Sequence, residues 1–262
     1  MKRVILAANN HPDYSFLAPL TAILWATRTG YRPAVFTVRV TGVLDFLAKS
    51  GVIDLFPVTV KHDRMAIKLT RWYSYTYFPW MGSEEGDRLL LMDVDCWPIN
   101  GAFWDREKKA RVVCHYGDAF QGKAHTTLGF EATCKALQEI APGNADERLK
   151  QIRKLPEDDE RRHSDDAAQS LLVLAWMDKH PGQSELIKRG PSPPKDRIDR
   201  SRWDEDMFAL DVDDCDFVDA HLPRDASDRR VWRTIYPLLK KLAPDWAGWA
   251  RAYRDEWERS CV

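Results

Sequence analysis

Arg88-Leu89-Leu90-Leu91-Met92-Asp93-Val94-Asp95 is the stretch on which the reading of this chain turns. The apolar run is too short for a helix and reads as a strand buried on both faces, the kind found in a largely parallel sheet. The two aspartates stand at its C-terminal end. Alternate residues of an extended chain point the same way, so both carboxylates can face one point. In open α/β sheets ligands bind beyond the carboxyl ends of the strands. Two hard oxygens there suit Mg²⁺ or Mn²⁺ holding a diphosphate. Aspartates also end strands simply as turn formers, and the chain repeats the tripeptide at Asp211-Val212-Asp213. Position separates the two copies, because only the first closes a series of strands and helices.

That series begins with Val4 to Ala8, a buried strand. Leu17, Leu20, Ile23, Leu24 and Thr27 fall at helical spacing, closed by Gly30 and Pro33. Ala34 to Val38 is a second strand, and Val43, Leu44, Leu47 and Ala48 suit a short helix stopped by Gly51. Phe56 to Val60 is a weaker strand, and residues 65–78 read as helical. Strands alternating with helices of this length predict βαβ units. Beyond residue 100 the pattern loosens. Val112 to Tyr116 suits a strand, and 130–141 a helix broken by Pro142-Gly143. Residues 143–162 read as a charged, mobile segment, and 190–194 as a loop. Ala168, Leu171, Leu172, Ala175 and Trp176 predict an apolar stripe on a helix over 165–178, and the Trp-rich tail from Asp228 reads as helical.

The chain has 262 residues, 39 Lys plus Arg against 40 Asp plus Glu, and is 44% hydrophobic. That is a globular composition with room for a sizeable core. A net charge of −1 excludes a generic polycation, so nucleic acid would have to be met through a local patch. Lys188, Arg189, Lys195, Arg197, Arg200 and Arg202 make one such basic stretch. The apolar run Ser170 to Met177 is too short for a membrane span, and Val4 to Ala8 too short for a signal peptide. Five widely spread cysteines with no Cys-x-x-Cys pair fit a reduced, cytoplasmic compartment.

Four further features carry chemistry. Lys68 and Arg71 are three apart and so share a helical face. They are placed to meet a diphosphate, or else are surface charges beside a buried Leu69 and Trp72. Ser164-Asp165-Asp166 opens the 165–178 helix. Ser164 is a good N-cap and a first-turn Asp favours the helix dipole, while two adjacent carboxylates at a helix mouth also suit contact with a sugar or an acceptor hydroxyl. His221 follows an apolar strand, as a structural residue or a metal ligand. Arg229, Arg230 and Arg233 then either solvate a helix or reach phosphate oxygens. Of 11 Trp, 8 Tyr and 10 Phe, Trp72, Trp80, Trp97, Trp104, Trp203 and Trp232 flank these loops. Most suit a core; some near a cleft would suit a carbohydrate face or a nucleobase.

In their order these motifs resemble those of the GT-A type glycosyltransferases, and more narrowly the glycogenin and galactosyltransferase-like group, over roughly residues 4–232. Leu6-Ala7-Ala8-Asn9-Asn10 with Tyr14 is similar to the group's first strand and nucleotide loop, and Lys68-Leu69-x-x-Trp72 to its Lys-Leu-x-x-Trp helix. Leu89 to Asp95 is similar to its strand ending in Asp-x-Asp. Ser164-Asp165-Asp166 falls at its Asp-Gln, and His221 with Arg230-Val231-Trp232 at its His and Lys-Pro-Trp. The resemblance implies an α/β fold of GT-A type: a Rossmann-like, mixed, mainly parallel sheet flanked by helices, with an irregular C-terminal half. One domain would span 1–262, with a nucleotide-binding half at 1–100 and an acceptor- and metal-completing half at 101–262.

The resemblance also implies a function. Mn²⁺ or Mg²⁺ held by Asp93, Asp95 and His221 would bridge the diphosphate of a nucleoside diphosphate sugar, a UDP-sugar favoured. Ala7, Ala8, Asn9, Tyr14 and Val94 would hold the nucleoside, Lys68 and Arg71 the base, ribose or phosphate, and Arg230 phosphate. Asp165 and Asp166 would hold donor hydroxyls or sit below the anomeric carbon. The acceptor stays open among glycan, lipid-linked sugar, protein side chain and modified nucleic-acid base. Three departures stand out: Asp166 replaces an amide, Arg230-Val231 replaces Lys-Pro, and the usual Asn-Ser-Gly is at best Thr127-Leu128-Gly129. A sugar-phosphate nucleotidyltransferase is the alternative, but Ala8-Asn9-Asn10-His11-Pro12 lacks its Gly-rich basic loop. A non-catalytic carbohydrate-binding relative is the third reading.

Overall fold

Strand β1 (Lys2–Ala8) sends Val4, Leu6 and Ala8 into one hydrophobic core and Ile5 into another. A strand covered on both faces needs apolar residues at every position, and that is the source of its continuous apolar run. The computed structural model describes residues 1–59, 64–77, 87–115, 129–159, 161, 165–187, 196–198, 200, 203, 210–213, 215 and 217–260. From β1 the chain passes through α1 (Pro12–Arg28), β2 (Arg32–Thr37), α2 (Gly42–Lys49), β3 (Asp54–Pro57), α3 (Arg64–Trp72) and a 3₁₀ turn at Ser74–Tyr77 to β4 (Arg88–Met92). Thr41 caps α2 by accepting from the Leu44 N–H at 3.3 Å. Gly51 follows the helix at φ +74°, a backbone region that L side chains avoid, so the stop expected there has a steric cause.

After β4 come β5 (Cys96–Pro98), α4 (Gly101–Asp105), β6 (Val112–Cys114), β7 (Phe130–Thr133), α5 (Cys134–Ile140), α6 (Ala145–Ile152), α7 (Asp165–Lys179), β8 (Ser184–Leu186), β9 (Asp196–Ile198), β10 (Phe217–His221), α8 (Arg229–Leu242) and α9 (Ala247–Ser260). The main sheet has seven strands in the order β3-β2-β1-β4-β7-β6-β8. Strands β3, β2, β1 and β4 are mutually parallel, β7 is antiparallel to both its neighbours, and β6 and β8 are parallel. A second sheet, β5-β10-β9, stands beyond the end of β4. Buried side chains from both halves of the chain share one core, Val4, Leu90 and Trp25 with Ile198, Ala220 and Leu238 among them.

Four expectations are corrected. The helix expected over 130–141 begins only at Cys134, because Phe130–Thr133 pairs with both β4 and β6 and is buried throughout. The segment expected to be mobile contains α6, capped by Asn144 and anchored by buried Leu149 and Ile152. The helix expected over 65–78 ends at Trp72 and tightens to a 3₁₀ turn. Helix α7 buries Ala168, Gln169, Ser170, Val173 and Trp176, whereas Leu171 is 53% exposed and Ala175 is exposed too. Its leucines lie on two sides, so periodicity alone does not say which side meets α3 and α5. Trp176 decides it by donating to Glu139 at 2.9 Å and stacking on His180.

Candidate active site

Chain order reverses between β1 and β4: β2 and β3 continue outward on one side of β1, and β4 lies on the other. Such a switch opens a crevice at the carboxyl ends of the two strands. The register Leu6↔Met92 brings the end of β1 and Asp93 together at that crevice. Asn9 shapes the turn into α1: its Oδ1 accepts from the His11 N–H at 2.9 Å and its carbonyl from Ser15 Oγ at 3.0 Å. The turn presents half-buried Tyr14 to the two aspartates. Burial, then Asp95 and Asp93, raises the Tyr14 hydroxyl above the usual phenol range, with Arg200 and Lys68 opposing.

Past β4 the chain turns sharply, with the Cys96 N–H donating to the Asp93 carbonyl at 3.2 Å, and enters the second sheet. There His221 lies opposite Cys96 in the antiparallel pair of β10 and β5. The Leu222 N–H donates to the Asp95 carbonyl at 2.8 Å and extends that pairing to the aspartate. The result brings His221 Nε2 to 3.6 Å from Asp95 Oδ2, although the two residues are 126 apart in sequence. Behind them tryptophans brace the turn: Trp25 Nε1 donates to the Cys96 carbonyl at 3.2 Å, Trp104 Nε1 to the Val218 carbonyl at 3.0 Å, and Trp97 Nε1 to the side-chain Oγ1 of Thr21 at 3.0 Å.

Both carboxylates face guanidinium groups. Arg71, reaching from α3, pairs with Asp93 Oδ1, and Arg200, just past β9, pairs with Asp95 Oδ2. Burial alone would raise the Asp93 carboxyl, but Arg71, Lys68 and then His221 outweigh it and hold it below the usual carboxylate range. One ligand atom from each of Asp95, Cys96 and His221 lies within 4.8 Å of the others, so the trio drawn together contains Cys96 rather than Asp93. Burial pushes the Cys96 thiol well above its ordinary range, with Arg197 opposing. A metal ligand must be the thiolate. The carboxylate and the imidazole are therefore the donors that suit a hard or borderline divalent ion such as Mn²⁺. Asp95 also lines a cleft of about 300 Å³, together with residues including His11, Tyr14, Arg200 and Arg224.

The other expected residues lie as follows. Ala7 is half-buried and Ala8 buried at the end of β1. Val94 is buried, and its carbonyl accepts from Thr21 Oγ1 at 2.5 Å. Arg230 is exposed in the first turn of α8, where Asp228 caps its N–H at 2.7 Å. Asp165 and Asp166 open α7, and their side chains, with Ser164, lie outside what is described. Trp80, Thr127-Leu128, Lys188, Arg189, Lys195 and Arg202 lie outside the described residues as well. Trp72, Trp97 and Trp104 are fully buried core. The second Asp-Val-Asp sits in a surface loop, where Asp213 pairs with Arg28 at 2.9 Å. Arg200 and Cys96 at the site carried no local sign of it. Arg200 is one cation of a basic run, and only the pairing of β9 with β10 brings it to Asp95.

No family model and no curated protein matches the sequence. Among solved structures, the glycosyltransferase GlyE of Streptococcus pneumoniae TIGR4 superposes with a TM-score of 0.53 at 10% identity, over 97% of this chain and 64% of GlyE. Its apo form gives the same TM-score at 12% identity. The chain thus spans 64% of the length of these relatives. The galactosyltransferase LgtC, in complex with donor and acceptor sugar analogs, matches at 12% identity with a TM-score of 0.47, over 95% of this chain and 99% of LgtC. The likeness to GlyE assigns the fold: a mixed, mainly parallel sheet flanked by helices, of the GT-A type.

Proposed function

We propose that this chain is a glycosyltransferase that uses a divalent metal to move a sugar from a nucleoside diphosphate sugar, with UDP-sugars favoured, to an acceptor hydroxyl or amine. One observation carries the reading: Asp95 and His221, distant in sequence, meet at 3.6 Å, and Asp95 lines a cleft beside the switch point of a parallel sheet. The donor set fits Mn²⁺ or Mg²⁺, with Asp95 and His221 holding the ion and Asp93, two residues before Asp95, as the further carboxylate proposed for it. A bound ion would stabilise charge on the departing phosphate.

The chain's own residues complete the site. Tyr14 and Asn9 line the end of β1 where a nucleoside would lie. Lys68 and Arg71 place positive charge beside Asp93, and Arg200 beside Asp95, so anionic oxygens meet fixed cations in a partly desolvated cleft. The first turn of α7, with Asp165 and Asp166, is the proposed contact for the donor sugar. A screen of UDP-, GDP- and CDP-sugars with Mn²⁺, read as nucleoside diphosphate released by slow hydrolysis, tests this. We expect release from one nucleotide class and its loss with EDTA. No turnover and no nucleotide binding with any of them would overturn the reading.

A further inference from the structure

The pairing of Asp95 with Arg200 contains a competition. Asp95 Oδ2 is the oxygen that faces His221 Nε2 at 3.6 Å, and the same Oδ2 accepts from Arg200 Nη2. Oδ2 is the Asp95 oxygen nearest His221, so an ion seated between the two side chains competes with Arg200 for that carboxylate. The two arginines at the site differ in their freedom to yield. The Arg71 side chain is 3% exposed and grows from helix α3, whereas the Arg200 side chain is 30% exposed and lines the cleft.

We propose that Arg200 is an internal counter-ion that occupies Asp95 in the metal-free chain, cedes it to the divalent cation, and then pairs with the diphosphate that the cation brings. This rests on the function proposed above. A guanidinium leaving a carboxylate keeps a planar fork of donors that matches phosphate oxygens equally well. The exchange keeps charge balanced: without ligand the arginine neutralises the aspartate, and with ligand the cation takes the aspartate while the arginine meets the new anion. Arg200 therefore opposes binding of the metal alone and favours binding of metal and diphosphate together. By linkage the two ligands strengthen each other through it.

The test uses the full chain and its Arg200→Gln and Arg200→Lys variants. Mn²⁺ binding is read from the loss of the free-ion EPR signal, alone and with UDP, GDP or CDP, and nucleotide binding is read by calorimetry at saturating Mn²⁺. In Arg200→Gln we expect Mn²⁺ alone to bind about fivefold or more tightly, and the diphosphate at saturating Mn²⁺ to bind more weakly by a similar factor. The Arg200→Lys variant, which keeps the charge without the fork, should stay closer to the parent in metal affinity and lose diphosphate affinity. Unchanged or weakened Mn²⁺ binding in a folded Arg200→Gln protein, with both ligands binding the parent chain, overturns the counter-ion role and leaves the glycosyl-transfer reading intact. Absence of Mn²⁺ and nucleotide binding in the parent chain overturns both. Thermal unfolding of each variant identifies loss of fold, and Arg200→Lys alone then decides.

Discussion

At the scale of single residues, His221 shows how little a side chain's identity says without its partner. As a lone histidine after an apolar strand it has a structural explanation ready to hand. Its backbone supports that explanation, since the His221 carbonyl accepts from Trp203 Nε1 at 2.8 Å. The imidazole is a separate matter, because it faces Asp95. His221→Ala removes the ring and keeps the backbone bonds of β10. The variant should need far more Mn²⁺ for half-maximal donor hydrolysis, and it should lose nucleotide affinity only when metal is present. Equal nucleotide loss with and without Mn²⁺ would place the ring on the nucleotide or in the fold.

At the scale of an element, α7 separates capping from chemistry. Carboxylates in a first turn stabilise a helix through its dipole by about 0.3–1 kcal/mol. A contact made in the transition state is worth more, and its loss costs of order 10²-fold in rate. Asn at position 165 or 166 keeps the shape and the capping ability while removing the charge. Asp165→Asn or Asp166→Asn should therefore lower turnover about 10²-fold or more with at most a small change in unfolding free energy. Wild-type rates in both variants would leave only the capping role. The same helix shows the limit of reading elements locally. A sequence window holds its period, but which face is buried depends on α3 and α5, which arrive from elsewhere in the chain.

At the scale of the whole molecule, a buried charge cluster ties the sheet to the N-terminal layer. Glu131 on β7 is fully buried and meets Arg88 of β4 at 2.6 Å, Lys108 at 3.1 Å and His115 at 3.0 Å. Lys108 also donates to the Tyr31 hydroxyl at 2.6 Å. Burial opposes ionisation of Glu131, but His115, Lys108 and Arg88 outweigh it and hold the carboxyl far below its ordinary range. Burial likewise lowers His115, with Glu131 opposing. Both folded-state values lie below the unfolded ones, so the unfolded chain takes up more protons as pH falls. Stability should be full above about pH 6.5 and decline below it, with the Glu131 part lost below about pH 4.5. Glu131→Gln leaves buried cations short of an anion and should cost about 3–5 kcal/mol at pH 7 in urea unfolding followed by tryptophan fluorescence. It should also flatten the acid limb. A cost under about 1 kcal/mol would mean that the cluster is compensated elsewhere.

The sequence by itself determined strands β1, β2 and β4, helices α1 and α2, and the place of the paired aspartates. Strands β1, β2 and β4 are buried on both faces, so their apolar runs announce them without reference to any partner. Caps and stops such as Thr41 and Gly51 act within a few residues. Glu131 was illegible, because a charged residue in an amphipathic-looking window reads as a helix surface until Arg88, Lys108 and His115, brought from elsewhere in the chain, surround it. Helix α6 was illegible for a related reason, its two anchoring residues being too few to mark a face among so many charges. Only the tertiary structure decided that His221 and Arg200 meet at Asp95 Oδ2. That meeting depends on the pairing of β5, β10 and β9, and pairing between distant segments is set by burial and register in three dimensions rather than by any local pattern.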